Sequence, residues 1–246
     1  MNESTEPNQK QLPSSPAVID ADARIKVVYL SLKGNTFSTK EKVWKGGIDM
    51  ILLQGRAVRS WFKNAYNPAV EAFPDCFSTG GVIPSNNSPD IQSEDCENCS
   101  KSQWKGSGKG AKPPECKERR KIVGLLVEDK KIGAFVAFQT FPTSVNVYRE
   151  YLAKLNTSLM RHKHEVVTHI DVESNAPKMG SRLVFTAGVD VTELKLDPGM
   201  LISYMKMAED EASREPVQKD EADESTAGVV TKAEEKVAAT NKGKKF

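Results

Sequence analysis

Apolar positions along this chain come in short runs separated by polar breaks, and most of the runs have the length of a strand. Arg24-Ile-Lys-Val-Val-Tyr-Leu-Ser-Leu32 is β-branched and partly alternating, which predicts a strand followed by a turn at Lys33-Gly34-Asn35. Ile48-Asp-Met-Ile-Leu-Leu-Gln54 is a second run, apolar enough to be buried on both faces. Arg120 to Val127 and Gly133 to Thr140 predict two more strands around a turn at Asp129-Lys-Lys131. In the later one, Phe135, Ala137 and Gln139 share a face and Val136 and Phe138 take the other. The period then changes. Tyr148, Tyr151, Leu152, Leu155 and Leu159 recur at three- and four-residue spacing, which predicts a helix. Pro142-Thr143-Ser144 opens it, with Thr143 or Ser144 as N-cap, and it closes near Arg161. His164–Val172 and Ser181–Val191 read as strands around a turn-rich loop. Pro198 starts a last helix, Gly199 to about Glu211, with Met200, Leu201, Tyr204 and Met207 apolar.

Six strands with a helix between the fourth and fifth predict a mainly β domain with helices, residues 23–207. A sheet of this kind buries itself by curling into a barrel, and the OB fold, whose single helix sits within the strand series, is the natural candidate. Residues 1–22 are polar and predict a disordered arm; residues 208–246 predict a disordered tail, acidic and then mixed. No apolar run approaches the ~20 residues of a membrane helix. The first ten residues lack the apolar stretch of a secretory signal. A cytoplasmic protein without membrane contact is expected.

Chemistry concentrates in one segment. All four cysteines, Cys76, Cys96, Cys99 and Cys116, lie between residues 76 and 116, in the spacing C-x19-C-x2-C-x16-C. Clustered cysteines in a reducing compartment read as metal ligands before disulfides. The interior from Ser78 to Asp95 is Gly, Ser, Asn and Pro, too poor in apolar residues to hold itself together. A structural Zn2+ on four thiolates would supply that hold, in an insertion spanning 74–118. Such a site has no open position for catalysis, and no nucleophile, metalloprotease or Walker pattern appears elsewhere. His162, His164 and His169 read as structural or surface residues.

A basic loop shares the segment. From Lys101 to Lys121 there are eight Lys or Arg against two Glu, with Trp104 among them. Three glycines, Gly106, Gly108 and Gly110, let backbone approach a ligand. An indole among lysines suits base stacking with phosphate contact. A second basic stretch precedes it: Arg56, Arg59 and Lys63 interleave with Trp61 and Phe62, and Tyr66 follows. Either aromatic can serve the core, with the arginines lining a groove beside it. The net charge of +2 conceals a split. Residues from Ala208 onward carry ten acidic and seven basic groups, a net of −3, which leaves +5 on the other 207 residues. Basic body and acidic tail together point to a nucleic-acid partner.

Pro74, Cys76, Ser78 and Gly80, then Cys96 and Cys99, then Trp104 with Gly106-Ser107, and Gly108-Lys109-Gly110 leading to Cys116-Lys117, form a sequence of motifs. Arg120, Pro142-Thr143-Ser144, Tyr151-Leu152, Leu155 and Val167-Thr168 follow. Over residues 48–190 this resembles the zinc-containing phage proteins that bind single-stranded DNA on an OB-like body; the stretch carrying Pro113-Pro114 departs from them by its length. The resemblance implies a non-enzymatic, sequence-tolerant single-stranded-DNA-binding protein of phage replication or recombination. Trp104 and Trp61 would stack on bases. Lys101, Lys105, Lys109, Lys112, Arg119, Arg120, Arg56 and Arg59 would meet phosphates. The tail would dock replication or recombination proteins or compete with DNA. The alternatives are a zinc-stabilised structural or interaction module without a nucleic-acid role, and a metal-dependent nuclease or recombination enzyme.

Overall fold

The structure, a computed structural model, describes residues 26–64, 73–174 and 181–217. The expected N-terminal arm, Tyr66 and most of the expected tail lie outside them. The chain divides into two units, 1–215 and 216–246, and of the second only Pro216 and Val217 are described.

Among the described residues ten strands and two α-helices follow in order: β1 Val28–Tyr29, β2 Ser31–Lys33, β3 Thr36–Ser38, β4 Val43–Lys45, β5 Ile48–Trp61, β6 Cys76–Ser78, β7 Lys117–Glu128, β8 Lys131–Gln139, α1 Val145–Ser158, β9 Val166–Ser174, β10 Ser181–Asp190 and α2 Pro198–Ser213. The main sheet has the order β1-β8-β7-β5-β9-β10, with β6 added to β5; β2, β3 and β4 make a separate three-stranded sheet. The β1–β8 pair is parallel and the other pairs are antiparallel, so the main sheet is mixed.

The path of the main sheet runs from β1 to β10 without closing, so the described strands form no closed barrel of the kind the strand count predicts. The reason lies in its two faces. Met50, Leu52 and Ile122 pack with Tyr148, Tyr151 and Leu155 of α1; Ile51, Leu53, Val123 and Leu125 pack with Ala208 and Ala212 of α2. A sheet covered by a helix on each side buries both faces without curling on itself. This also explains the unbroken apolar run at the start of β5, since neither face meets water. Each fully buried Leu or Ile contributes about 1.5–3 kcal/mol.

Other boundaries shift for physical reasons. The first expected strand divides: β1 joins the main sheet beside β8, while β2 joins the small sheet. The basic-aromatic stretch 55–61 continues β5 to a length of 14 residues. α1 ends at Ser158, three residues short of expectation. α2 begins at its N-cap, where the Asp197 side chain accepts a hydrogen bond from Met200 N at 2.9 Å. It runs to Ser213, so residues 208–213 belong to the folded domain and not to the tail. A buried ion pair holds its last turn: Lys121 Nζ stands 2.8 Å from Glu211 Oε1, and the Tyr29 hydroxyl donates to the same oxygen at 2.7 Å.

Candidate nucleic-acid interface

The cysteine segment is built from local hydrogen bonds on the end of β5. β6 pairs there, with Cys76 opposite Trp61 and Ser78 opposite Arg59. Beyond β6 the Ser78 hydroxyl accepts from Gly81 N at 2.9 Å and donates to the Ile83 carbonyl at 2.6 Å, which turns the chain back. Gly81 has φ +75°, and a Cβ on it would stand 2.9 Å from that of Ala57, so only glycine lets the loop lie this close to β5. Asp95 accepts from Asn98 N at 2.6 Å and shapes the Cys96–Cys99 turn. Cys96 N donates to Val82 O and Cys116 N to Lys101 O, both at 2.8 Å.

These bonds bring all four cysteines to the wall of one cavity of about 20 Å³, which Trp61, Pro84, Lys101 and Ser102 also line. That is room for one water-sized atom. The cysteines are free thiols, three of them buried. Burial pushes Cys116 up to about 11 and raises Cys96, while the nearby Arg59 guanidinium pulls both down. Among the described residues no group of three or more His, Cys, Asp or Glu side chains is placed to hold a metal ion as it stands. Donor type and number fit zinc, whereas the present side-chain placement is not a coordination shell.

The basic loop stands on this segment. Lys105 and Lys112 exchange backbone hydrogen bonds at 3.0 and 2.8 Å, closing a small hairpin around Gly106–Ala111. Trp104 at its base is 64 % exposed. Lys109 and Lys112 are exposed, with no ion-pair partner among the described residues. Lys101 and Lys105 differ: both bond Glu115, the former at 2.8 Å. These two lysines hold Glu115 down to about 2. Trp61, expected as a stacking platform, is only 6 % exposed; it donates to Glu115 at 3.3 Å and lies 4.9 Å beneath Lys101 Nζ. It belongs to the cavity wall.

The arginines divide between the faces, because β5 and β7 alternate. Arg59 opposes Glu118 and Ala57 opposes Arg120 on the α1 side. There Arg59, Arg120 and Arg149 of α1 approach Glu118 at 3.0, 3.4 and 2.8 Å. Arg56 and Arg119 alternate onto the α2 side with Lys121. Arg56 bonds the Ser213 hydroxyl, and burial lowers the pKa of Arg119. The ten residues expected to touch nucleic acid therefore fall into three places: the hairpin with Trp104, Lys109 and Lys112; the Glu115 cluster; and the two faces of β5 and β7. Arg149 was not foreseen here, and Tyr148 was foreseen only as part of the apolar stripe of the helix. Their spacing signals only a helix, and no pattern in the chain announces which strand residues that helix meets.

No helix among the described residues is long and apolar enough to cross a membrane. No protein-family model, curated protein or solved structure matches this chain.

Proposed function

We propose that the protein binds single-stranded DNA with little sequence preference, without catalysis, as the phage replication and recombination proteins it resembles do. One observation carries the reading: an exposed indole, Trp104, at the base of a hairpin whose Lys109 and Lys112 are free to meet phosphate. Stacking on such a platform contributes about 1–3 kcal/mol per base, and every base has a face to offer. Zn2+ on Cys76, Cys96, Cys99 and Cys116 would hold the hairpin rigid. Convergence of the four thiols on one atom-sized cavity supports this part. An open sheet between two helices replaces the OB-like barrel in this reading, with the interface at the cysteine end of β5 and β7. The cytoplasm is the expected compartment, and residues beyond 217 are the expected dock for replication proteins.

The second reading is a zinc-stabilised interaction module without nucleic acid. The pairing of Lys101 and Lys105 with one Glu115 carboxylate, which cancels one of their two charges, favours it. Titration with oligo-dT at two salt concentrations separates the two. Of the three tryptophans only Trp104 is exposed, so quenching should occur in the native chain and vanish in Trp104→Ala. Affinity should fall steeply with salt as counterions are released. A native chain that neither quenches nor retains the oligonucleotide at low salt would sink the proposal. Metal analysis of the purified chain tests the zinc: about one ion per chain is expected, lost on Cys96→Ser.

A further inference from the structure

The Glu118 cluster has more donors than acceptors. Three guanidiniums, Arg59, Arg120 and Arg149, surround one carboxylate, which leaves a local charge of +2. A carboxylate takes about four hydrogen bonds, while three guanidiniums carry about fifteen N–H donors. The excess is visible atom by atom: the Nε atoms of Arg59 and Arg120 are both buried and have no hydrogen-bond partner.

A third orphan donor lies near Arg120. Tyr148 is 2 % exposed, and its hydroxyl has no partner. The hydroxyl sits on Gly55: a Cβ there would be 2.1 Å from it, so the side chain points at the floor of the sheet. The register puts Gly55, Ala57 and Arg59 on one face of β5, opposite Ile122, Arg120 and Glu118 of β7. Diagonal neighbours across such a pair lie ~7–8 Å apart, within reach of tyrosine and arginine. Burial, ahead of any other cause, raises the hydroxyl to about 12, so it stays a donor at neutral pH. Buried orphan donors are costly unless something satisfies them.

We propose that Arg59, Arg120, Arg149 and the Tyr148 hydroxyl form a phosphate subsite, in which Glu118 occupies part of the space and charge complement of a phosphodiester of the bound strand. A phosphate group has the several oxygens that arginine forks match bidentately. The subsite lies on the α1 face next to the thiol cavity, since Arg59 also acts on Cys96 and Cys116. It rests on the single-stranded-DNA reading for the source of its phosphate, though not for its geometry.

Three variants and two probes test it. Tyr148→Phe deletes an orphan hydroxyl, so folding should be unharmed while oligo-dT binding weakens about five- to tenfold. Arg149→Gln, at a half-exposed helix position, should weaken binding and reduce the salt slope by about one. Glu118→Gln should tighten binding, whereas a purely structural network predicts no gain. The same variants are titrated with inorganic phosphate. Loss in the first two and gain in the third with oligo-dT supports the subsite. Unchanged oligo-dT binding in all three, with native-like circular dichroism, overturns it. A response to inorganic phosphate alone overturns the phosphodiester assignment. Should the native chain not bind oligo-dT, the nucleic-acid reading fails by itself; phosphate affinity that follows the same order of variants then still supports the geometry, and indifference overturns it.

Discussion

Glu115 and Glu118 stand three residues apart where the cysteine segment enters β7, and each gathers basic side chains. They do different things. Glu115 is exposed and meets two lysines and an indole N–H. Lysine is a compact charge, and two carboxylate oxygens can answer two of them. The result is a closed staple that ties residues 101 and 105 to 115 above Trp61. Glu118 is mostly covered and meets three arginines, whose planar forks carry more donors than it accepts. Donors are left over there, on Arg59 and Arg120. A count of basic residues therefore measures anion capacity poorly; the donors still unanswered after folding measure it better.

Breaking the Glu118 side should have the largest effect. Glu118→Ala leaves three guanidiniums, those of Arg59 and Arg120 mostly covered, without their shared carboxylate and should cost about 1–3 kcal/mol of stability, measured by urea unfolding. Next comes Trp104→Ala, which should lower oligo-dT affinity by about 1–3 kcal/mol with the unfolding midpoint unchanged, because the indole is exposed. Lys109→Gln should reduce the salt slope by about one and leave stability alone. Lys105→Gln, by contrast, should reduce the slope by less, since Glu115 already answers part of that charge.

The smallest effect is expected on the Glu115 side and sharpens the comparison through pH. Its pKa falls from the ordinary 4.5 to about 2 on folding. A carboxylate depressed in the folded state adds stability that is fully present above its unfolded value and is lost as pH falls through the folded one. Glu115→Gln should therefore flatten the stability profile between pH 4.5 and 2, with its loss of stability present at neutral pH, small because the carboxylate is exposed, and vanishing towards pH 2, as thermal unfolding at a series of pH values will show.

Much of the scaffold was legible residue by residue. The apolar run at Ile48 announced a strand buried on both faces, and Met50 and Ile51 do point to opposite helices. The three- and four-residue spacing of Tyr148, Tyr151 and Leu155 announced the buried face of α1. The hairpin of β3 and β4 went unread, because Thr36–Ser38 and Val43–Lys45 are too short and mixed to carry a period; Phe37 is nevertheless fully buried, 5.4 Å from Phe138. At the site, the gathering of the four cysteines and the tryptophan within a basic loop were legible from the sequence. The fate of each cation was not. Lys101 and Lys109 look alike in the chain, yet one is held by Glu115 and the other is free.

By itself the sequence determined what is local: the strands with clear apolar runs, the inward stripe of α1, the gathering of cysteines into one segment and the basic body with its acidic end. Strand propensity, helical period and composition act over a few residues, so they can be read from a few. Only the tertiary structure decided that the sheet stays open between two helices, that Trp61 is cavity wall and Trp104 surface, and which cations keep unanswered donors. Those outcomes depend on the register of β5 against β7 and on where α1 docks. Both are set by packing between residues tens of positions apart, where side chains such as Tyr148 and Arg120 first meet.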